Sequence, residues 1–396
     1  MGAQVGLVLV VVVLAGLVLV GRPPAAQVLV SASTPAPIAS PVPLSDGADL
    51  DADIGALMVI SWRASVGWAA VRALMAQDHV GGILLFTPNF GGTPAGVLSW
   101  SNYLHALDAE LCAQHPSLVM LDEEGGEVAN VKAAFAPPWP VDMAARGPAA
   151  VRELERVNGA GLRAAGVDLN LAPVADVRYN PNDAVIGGRS FGSSTSLVAP
   201  LVDAAVRGLH DGGVGATVKH FPGLGGAAGD PHVAIPTDRE SEATWARVQE
   251  PAFAAGIAAG ADAVMVTAMY APGLGAGALP AIFSSAVVSR LRTQLGFSGV
   301  IISDSLSMGG IGARWSLQQA AVMALAAGND MLLLGNGDLA YEASAIAAVR
   351  AAVLSGKLDR TKIHESAVRV NALRDRWGRT LGPCRTPITA GLAAAA

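Results

Sequence analysis

Eight short apolar segments alternate with longer Ala-rich segments along the chain, and this alternation constrains the fold more than any other feature. Several of the apolar segments are continuous runs of Val, Ile and Leu, which is typical of parallel strands buried on both faces. The predicted strands are 56–61, 82–86, 118–122, 167–173, 216–220, 263–267, 300–304 and 330–334.

The Ala-rich segments between these strands have the length of helices, and Gly often stands where a helix would end. The predicted helices are 64–78, 97–114, 149–165, 195–212, 239–259, 284–295, 316–327 and 338–355, with a final helix at 360–377. Eight strand–helix units predict an α/β fold of the (β/α)8 TIM-barrel type, with a single catalytic domain at 51–380. The alternative is an open doubly wound sheet, but no Gly-x-Gly-x-x-Gly follows the first strand to support its dinucleotide-binding version.

The composition favours a well-packed domain that binds a small molecule. The chain of 396 residues is 52% hydrophobic and 15% charged, and its net charge is −6. Nucleic-acid-binding domains carry a basic patch, so we expect no nucleic acid partner and instead a small neutral or polar ligand. We also expect a monomer, and no cofactor, because the sequence contains no metal-ligand cluster or nucleotide motif.

The two ends of the chain differ from the predicted barrel. Residues 1–22 are almost wholly apolar, which predicts a signal peptide or membrane anchor. Residues 23–50 form a Pro/Ser-rich linker, and 381–396 form an Ala-rich tail. We therefore expect an exported protein, extracellular or held on the outer face of the membrane through its N-terminal segment. The alternative for the N-terminal region is a core helix followed by a loop.

The chain has two cysteines, Cys112 and Cys384, and their spacing suits no metal site. In an exported protein they could form a disulfide. The sequence leaves open whether they pair or remain two unrelated thiols.

Charged side chains stand at the ends of several predicted strands. Asp122 ends the third strand, Lys219 and His220 end the fifth, and Asp304 ends the seventh. Because the carboxyl ends of the strands meet at one rim of such a barrel, these side chains are candidates for an active site. Loops after the fourth and fifth strands add further candidates at the same rim, which are Arg189 and the segment Asp230-Pro-His232.

Seven motifs around these residues occur in a recognisable order. They are Asp122-x-Glu-Gly-Gly126, Leu171-Ala-Pro-Val-Ala-Asp176, Gly188-Arg-Ser-Phe-Gly192, Lys219-His-Phe-Pro-Gly223, Asp230-x-His232, Ser303-Asp304 and Ala327-Gly-Asn-Asp-Met-Leu-Leu333. Over about 54–335 the chain resembles the catalytic domain of glycoside hydrolase family 3, in its single-domain β-N-acetylglucosaminidase (β-N-acetylhexosaminidase) branch.

The resemblance implies a retaining glycoside hydrolase that removes terminal β-linked N-acetylhexosamine, for example N-acetylglucosamine from peptidoglycan fragments. It implies a role for each candidate: Asp304 as nucleophile, Asp230 and His232 as an acid/base pair, and Asp122, Arg189, Lys219 and His220 as sugar-binding residues. A histidine suits the acid/base role because it titrates near neutral pH. The alternatives are a relative that cleaves another β-glycoside or transfers the sugar to phosphate, or a catalytically weak sugar-binding barrel.

Structural roles remain alternatives for several of these residues. Asp304 could be a helix N-cap, and Arg189 could brace the preceding loop. Lys219 could be a structural ion-pair partner, and His220 could be a core histidine. Asp230 and His232 could lie in an exposed turn, and Asp176 is predicted to be structural.

The chain departs from the family pattern at four places near the predicted site. Leu224 replaces a usual histidine, Glu127 and Asn130 replace usual arginines, and Ala268 and Met269 stand where a histidine usually follows the sixth strand. Among these departures, Glu127 replaces a positive charge by a negative one. The departures together leave the identity of the substrate open.

Overall fold

The computed structural model describes residues 50–384, apart from residues 184 and 336. The predicted N-terminal segment, the linker up to residue 49 and the tail from residue 385 lie outside the described residues. Within the described part of the chain, no helix is both long enough and apolar enough to cross a membrane.

Eight parallel strands form the barrel that the sequence predicts. They are β1 (Met58–Ile60), β2 (Gly82–Leu84), β3 (Leu118–Leu121), β4 (Leu169–Asn170), β5 (Gly215–Phe221), β6 (Ala263–Val266), β7 (Val300–Ser303) and β8 (Leu332–Leu333). Strands β1 to β7 pair with their neighbours in chain order, and β1 also pairs with β8. A parallel bridge between Ile302 and Met331 joins β7 to the segment that enters β8 and closes the ring. The predicted (β/α)8 barrel is therefore confirmed, and each predicted strand overlaps an observed one.

Helices surround the barrel. Those that follow the strands are Trp68–Asp78, Pro94–Glu110, Pro148–Ala165, Thr195–Asp211, Glu242–Val248, Glu250–Ala258, Ser285–Thr293, Leu317–Ala327, Leu339–Leu354 and Arg360–Trp377. Further helices are Leu50–Ala56, Thr87–Phe90, Pro140–Ala144 and Gly309–Gly312, and a two-stranded hairpin follows β3 at Glu123–Gly125 and Val128–Ala129.

The predicted helix 239–259 is wrong in one respect, because the structure divides it into two helices at Gln249. Pro251 lies in the first turn of the second helix and has no backbone N–H to continue the hydrogen-bond ladder. The first helix begins after Ser241, whose hydroxyl accepts a hydrogen bond from the backbone N–H of Thr244.

A disulfide bond joins Cys112 to Cys384, with the two Cα atoms 4.8 Å apart. The bond confirms the paired alternative. It ties the segment after the last helix to the end of the helix Pro94–Glu110, across 272 residues of sequence.

Three buried aspartates at the amino ends of strands stabilise the barrel on the face opposite the predicted site. Asp168, Asp262 and Asp330 precede β4, β6 and β8. Each carboxylate accepts a hydrogen bond from a backbone N–H of the neighbouring strand, at 2.8–2.9 Å. Each also forms an ion pair with at least one arginine of a surrounding helix. These aspartates therefore fix both strand register and helix position.

Replacement of Asp330 by Ala should destabilise the barrel strongly. Its carboxylate accepts from the backbone of Ile301 and from Ser366, and it pairs with Arg292. Removing one partner of a buried ion pair typically costs about 3–5 kcal/mol. Urea unfolding should show this loss in Asp330→Ala, whereas Asp203→Ala, which breaks a surface pair with Arg207, should lose only about 0.2–1 kcal/mol. Equal losses in the two variants would contradict the assigned role.

Candidate active site

A cavity of about 460 Å³ opens at the carboxyl ends of the strands. The structure brings six of the seven predicted site residues to its wall: Asp122, Arg189, Lys219, His220, His232 and Asp304. The seventh, Asp230, contacts the ring of His232. Apolar side chains complete the wall, among them Leu84, Met265 and Leu333 from three strands.

Asp304 follows the last residue of β7 and is partly buried. The hydroxyl of the fully buried Thr267 donates a hydrogen bond to Oδ2 of Asp304 at 2.7 Å, and the backbone N–H of Ser305 donates to Oδ1 at 2.8 Å. The next helix begins at Gly309, so Asp304 is not its N-cap. Two donors on different oxygens hold the carboxylate in one orientation at the cavity wall.

A buried ion cluster lines the same cavity and centres on Glu124. Arg189 donates two hydrogen bonds to the two oxygens of Glu124, both at 2.7 Å. Nζ of Lys219 contacts Glu124 at 2.6 Å and Asp122 at 2.5 Å. Both ion pairs of Lys219 are thus with carboxylates of the segment that follows β3.

The charges in this cluster stabilise one another. Burial raises the pKa of Glu124, but the positive charges of Lys219 and Arg189 outweigh burial and lower that pKa to about 2. Burial likewise lowers the pKa of Lys219, yet Asp122 and Glu124 outweigh it and raise the value above its usual range. Glu124 and Lys219 are therefore both charged at neutral pH. The sequence marks Glu124 as part of the motif after Asp122 and as a second candidate for the acid/base, but it does not predict that Glu124 binds both cations.

Arg189 serves the loop as well as the cavity. Its Nη1 donates a hydrogen bond to the carbonyl of Val185 at 3.2 Å, which braces the loop that precedes it. Its Nη2 lies 3.4 Å from Nε2 of His220. Arg189 therefore braces the preceding loop, as its structural alternative predicted, and also lies at the cavity wall.

His220 is oriented by Asp176. Nδ1 of His220 lies 2.7 Å from Oδ2 of Asp176, and Oδ1 of Asp176 accepts a hydrogen bond from the backbone of Leu224 at 2.6 Å. The register of β5 against β6 shifts between Val218 and Phe221, and both Lys219 and His220 line the cavity. Asp176 has the predicted structural role, and that role fixes the ring that faces the cavity.

Asp230 and His232 form a close pair on the loop after β5. Oδ1 of Asp230 lies 2.7 Å from Nδ1 of His232 and accepts a hydrogen bond from the backbone N–H of His232 at 2.8 Å. Desolvation raises the pKa of Asp230, but the hydrogen bonds from His232 outweigh it and lower the value. The loop is exposed, as the structural alternative required, and the side chain of His232 is 65% exposed. His232 also lines the cavity, and its contact with Asp230 is made through Nδ1 rather than Nε2.

The residues that depart from the family pattern lie at different depths. Asn130 is turned into the protein, where it bonds to Thr87 and to the carbonyl of Asp122. Leu224 lines the cavity, Glu127 is exposed beside it, and Ala268 and Met269 are buried. Both cations at the cavity wall, Lys219 and Arg189, are bound to carboxylates of the protein.

Carboxylates, an imidazole and buried cations meet in a cavity at the carboxyl ends of the strands, which is where enzymes with a (β/α)8 barrel have their active sites. The family model described as the glycosyl hydrolase family 3 N terminal domain matches residues 49–373. The chain belongs to glycosyl hydrolase family 3.

Named relatives agree with this assignment. A beta-hexosaminidase from Methylobacillus flagellatus is 36% identical over 266 residues, which cover 65% of this chain and 74% of the relative. The beta-hexosaminidase LpqI from Mycobacterium tuberculosis is 31% identical over 376 residues, covering 89% and 92% of the two chains. The solved family 3 beta-N-acetylglucosaminidase from Paenibacillus sp. str. FPU-7 superposes with a TM-score of 0.79 at 35% identity, over 86% of this chain and 66% of that one. The chain thus spans just under two thirds of the Paenibacillus protein.

Replacement of Thr267 by Val should impair turnover while the fold remains intact, because Val keeps the shape of Thr and removes the hydroxyl that orients Asp304. A hydrogen bond to a charged group contributes about 1.5–3 kcal/mol, so kcat should fall roughly 10- to 100-fold. Thr267→Ser keeps the hydroxyl and should remain near the native rate. Steady-state kinetics with one chromogenic substrate measures both variants, and an unchanged kcat in Thr267→Val would show that Asp304 does not depend on this bond.

Proposed function

We propose that this chain removes terminal β-linked N-acetylhexosamine, with N-acetylglucosamine as the preferred sugar, and that it does so with retention of configuration. The observation that carries the proposal is that Asp304 and His232 line the same cavity, with Asp230 in contact with the ring of His232. A retaining glycosidase requires a nucleophile on one face of the sugar and a proton donor on the other. The names of the relatives support N-acetylhexosamine as the sugar.

In the first step an oxygen of Asp304 attacks the anomeric carbon, and the bond from that carbon to the leaving oxygen breaks. His232 donates a proton from Nε2 to the leaving oxygen. Because Asp230 contacts Nδ1, it orients the ring and stabilises the imidazolium before transfer.

In the second step neutral His232 accepts a proton from water, the water oxygen attacks the same carbon, and the bond to Asp304 breaks. The exposure of His232 gives that water access to the ring. Asp304 leaves as a carboxylate, so the enzyme returns to its starting state.

Asp122, Arg189, Lys219 and His220 bind the sugar in this proposal. Lys219 uses contacts to Asp122 and Glu124 and retains one ammonium proton for a sugar hydroxyl. Asp122 retains its second oxygen as an acceptor. Glu124 does not suit the acid role, because its pKa of about 2 keeps it ionised.

We propose that the protein acts outside the cytoplasm as a monomer and is attached to the membrane when residues 1–22 remain in place. The disulfide between Cys112 and Cys384 supports an oxidising compartment. Peptidoglycan fragments are the proposed source of the substrate, from the family resemblance. Release of N-acetylglucosamine from purified fragments tests this source, and membrane fractionation with and without residues 1–22 tests the attachment. No release would direct the search to other oligosaccharides.

Replacement of Asp304 by Asn should abolish turnover, because the amide is a poor nucleophile in the position of the attacking oxygen. In the native protein a slow fluorinated N-acetylglucosaminide should leave a covalent label on Asp304, located by mass spectrometry of the digested protein. NMR of the first product formed should show the β-anomer. A label on a different residue, or an inverted product, would refute the assignment.

Replacement of His232 by Ala should affect substrates with poor leaving groups most. A natural disaccharide needs a proton on the leaving oxygen, whereas a nitrophenyl group departs with little protonation. General acid catalysis contributes about 10²–10⁴-fold, so the losses in kcat/KM on the two substrates should differ clearly. Asp230→Ala should show a weaker form of the same pattern. Equal losses on both substrates would assign His232 to binding or structure.

A further inference from the structure

The loop that carries Asp230 and His232 is held against the segment that follows Asp304 through two glycines. The backbone N–H of Gly310 donates a hydrogen bond to the carbonyl of Pro231 at 3.2 Å. A Cβ atom at Gly310 would lie 2.7 Å from the backbone nitrogen of Ile235 and 2.8 Å from that same carbonyl oxygen. A Cβ atom at Gly309 would overlap the carbonyl oxygen of His232. The approach is therefore so close that it requires residues without a side chain.

The requirement for glycine here comes from contact and not from backbone conformation. Neither Gly309 nor Gly310 has a positive φ, so an alanine could adopt the same backbone angles. Gly312, in the same short helix, has no heavy atom within 4 Å of a Cβ built on it. The helix Gly309–Gly312 thus contains two glycines that touch the loop and one that does not.

The two partners of this contact differ in how firmly they are held. The segment after Asp304 is fixed to β8, because Leu306 bonds to the carbonyl of Leu333 and Ser307 bonds to the carbonyl of Gly335. The loop is anchored at its base, where Tyr270 bonds to the carbonyl of Pro236. Its tip is open to solvent, and Val233 beside His232 is 77% exposed. Contact with Gly309 and Gly310 therefore sets the height of the tip above the cavity.

We propose that Gly309 and Gly310 are positioning residues, which hold His232 at the distance from the cavity at which it can protonate the leaving oxygen of a sugar bound over Asp304. This inference rests on the proposed function. Proton transfer requires a heavy-atom separation of about 2.6–3.2 Å. A displacement of about 1 Å can cost roughly 100-fold in rate. An added methyl group at Gly310 must displace the loop by a few tenths of an ångström or more, because real Cβ atoms essentially never approach closer than 3.0 Å.

The test compares Gly310→Ala with Gly312→Ala, which adds the same methyl group to the same helix without a contact. In Gly310→Ala, kcat/KM for a natural N-acetylglucosamine disaccharide should fall roughly 10- to 100-fold, mainly in kcat. The loss on the nitrophenyl glycoside should stay within about 3-fold, because that leaving group needs little protonation. Gly312→Ala should match the native protein on both substrates.

A double variant shows whether the glycine acts through the histidine. In the His232→Ala protein, addition of Gly310→Ala should cause no further loss on the disaccharide, because the group that it positions is absent. An equal and additive loss on both substrates would overturn the inference and leave Gly310 with a structural role. If Gly310→Ala does not fold, as judged by thermal unfolding, Gly309→Ala is the second variant, since its methyl group meets the carbonyl of His232 itself.

The outcomes separate this inference from the proposed function. If His232→Ala is selective for poor leaving groups and Gly310→Ala is not, the positioning role fails and the acid/base role stands. If His232→Ala affects both substrates equally, the proposed acid/base role fails, and the positioning role fails with it.

Discussion

The site depends on the buried carboxylate of Glu124. This one side chain binds Lys219 from β5 and Arg189 from the loop after β4, and it belongs to the hairpin that follows β3. It therefore joins three neighbouring parts of the rim. A buried charge left without its partner is far more costly than an exposed one, so these groups are stable only together. The cavity wall consequently has a fixed arrangement of charges before any sugar binds.

Aspartates serve the two ends of the barrel in different ways. At the amino ends of the strands, Asp168, Asp262 and Asp330 accept backbone hydrogen bonds and pair with arginines. Their carboxylates therefore interact with other groups of the protein. At the carboxyl ends Asp122 and Asp304 keep part of their surface on the cavity. The aspartates at the amino ends are thus enclosed by protein partners, whereas Asp122 and Asp304 remain accessible to a ligand in the cavity.

The two proposed reactive groups are held in place to different degrees by the surrounding protein. Asp304 is partly buried and receives hydrogen bonds on both oxygens, which suits a nucleophile that must meet one carbon atom. His232 is largely exposed on a loop. Asp230 contacts its ring, and the backbone N–H of Gly310 donates a hydrogen bond to the carbonyl of the preceding residue, Pro231. This exposure suits a group that exchanges protons with a leaving sugar and with water. The short segment after Asp304 lies against both groups and so relates one to the other.

The sequence by itself determined the eight strands, most helix limits and the residues at the strand ends, because hydrophobic periodicity and the parallel order of strands are local or repeated features. Tertiary structure decided which of these residues bind one another. Three contacts join residues of different strands or loops: between Thr267 and Asp304, between Asp176 and His220, and between Glu124 and Lys219. The disulfide across 272 residues and the close contact at Gly310 have the same origin. Such pairs have no fixed spacing along the chain, and only closure of the barrel brings them within reach.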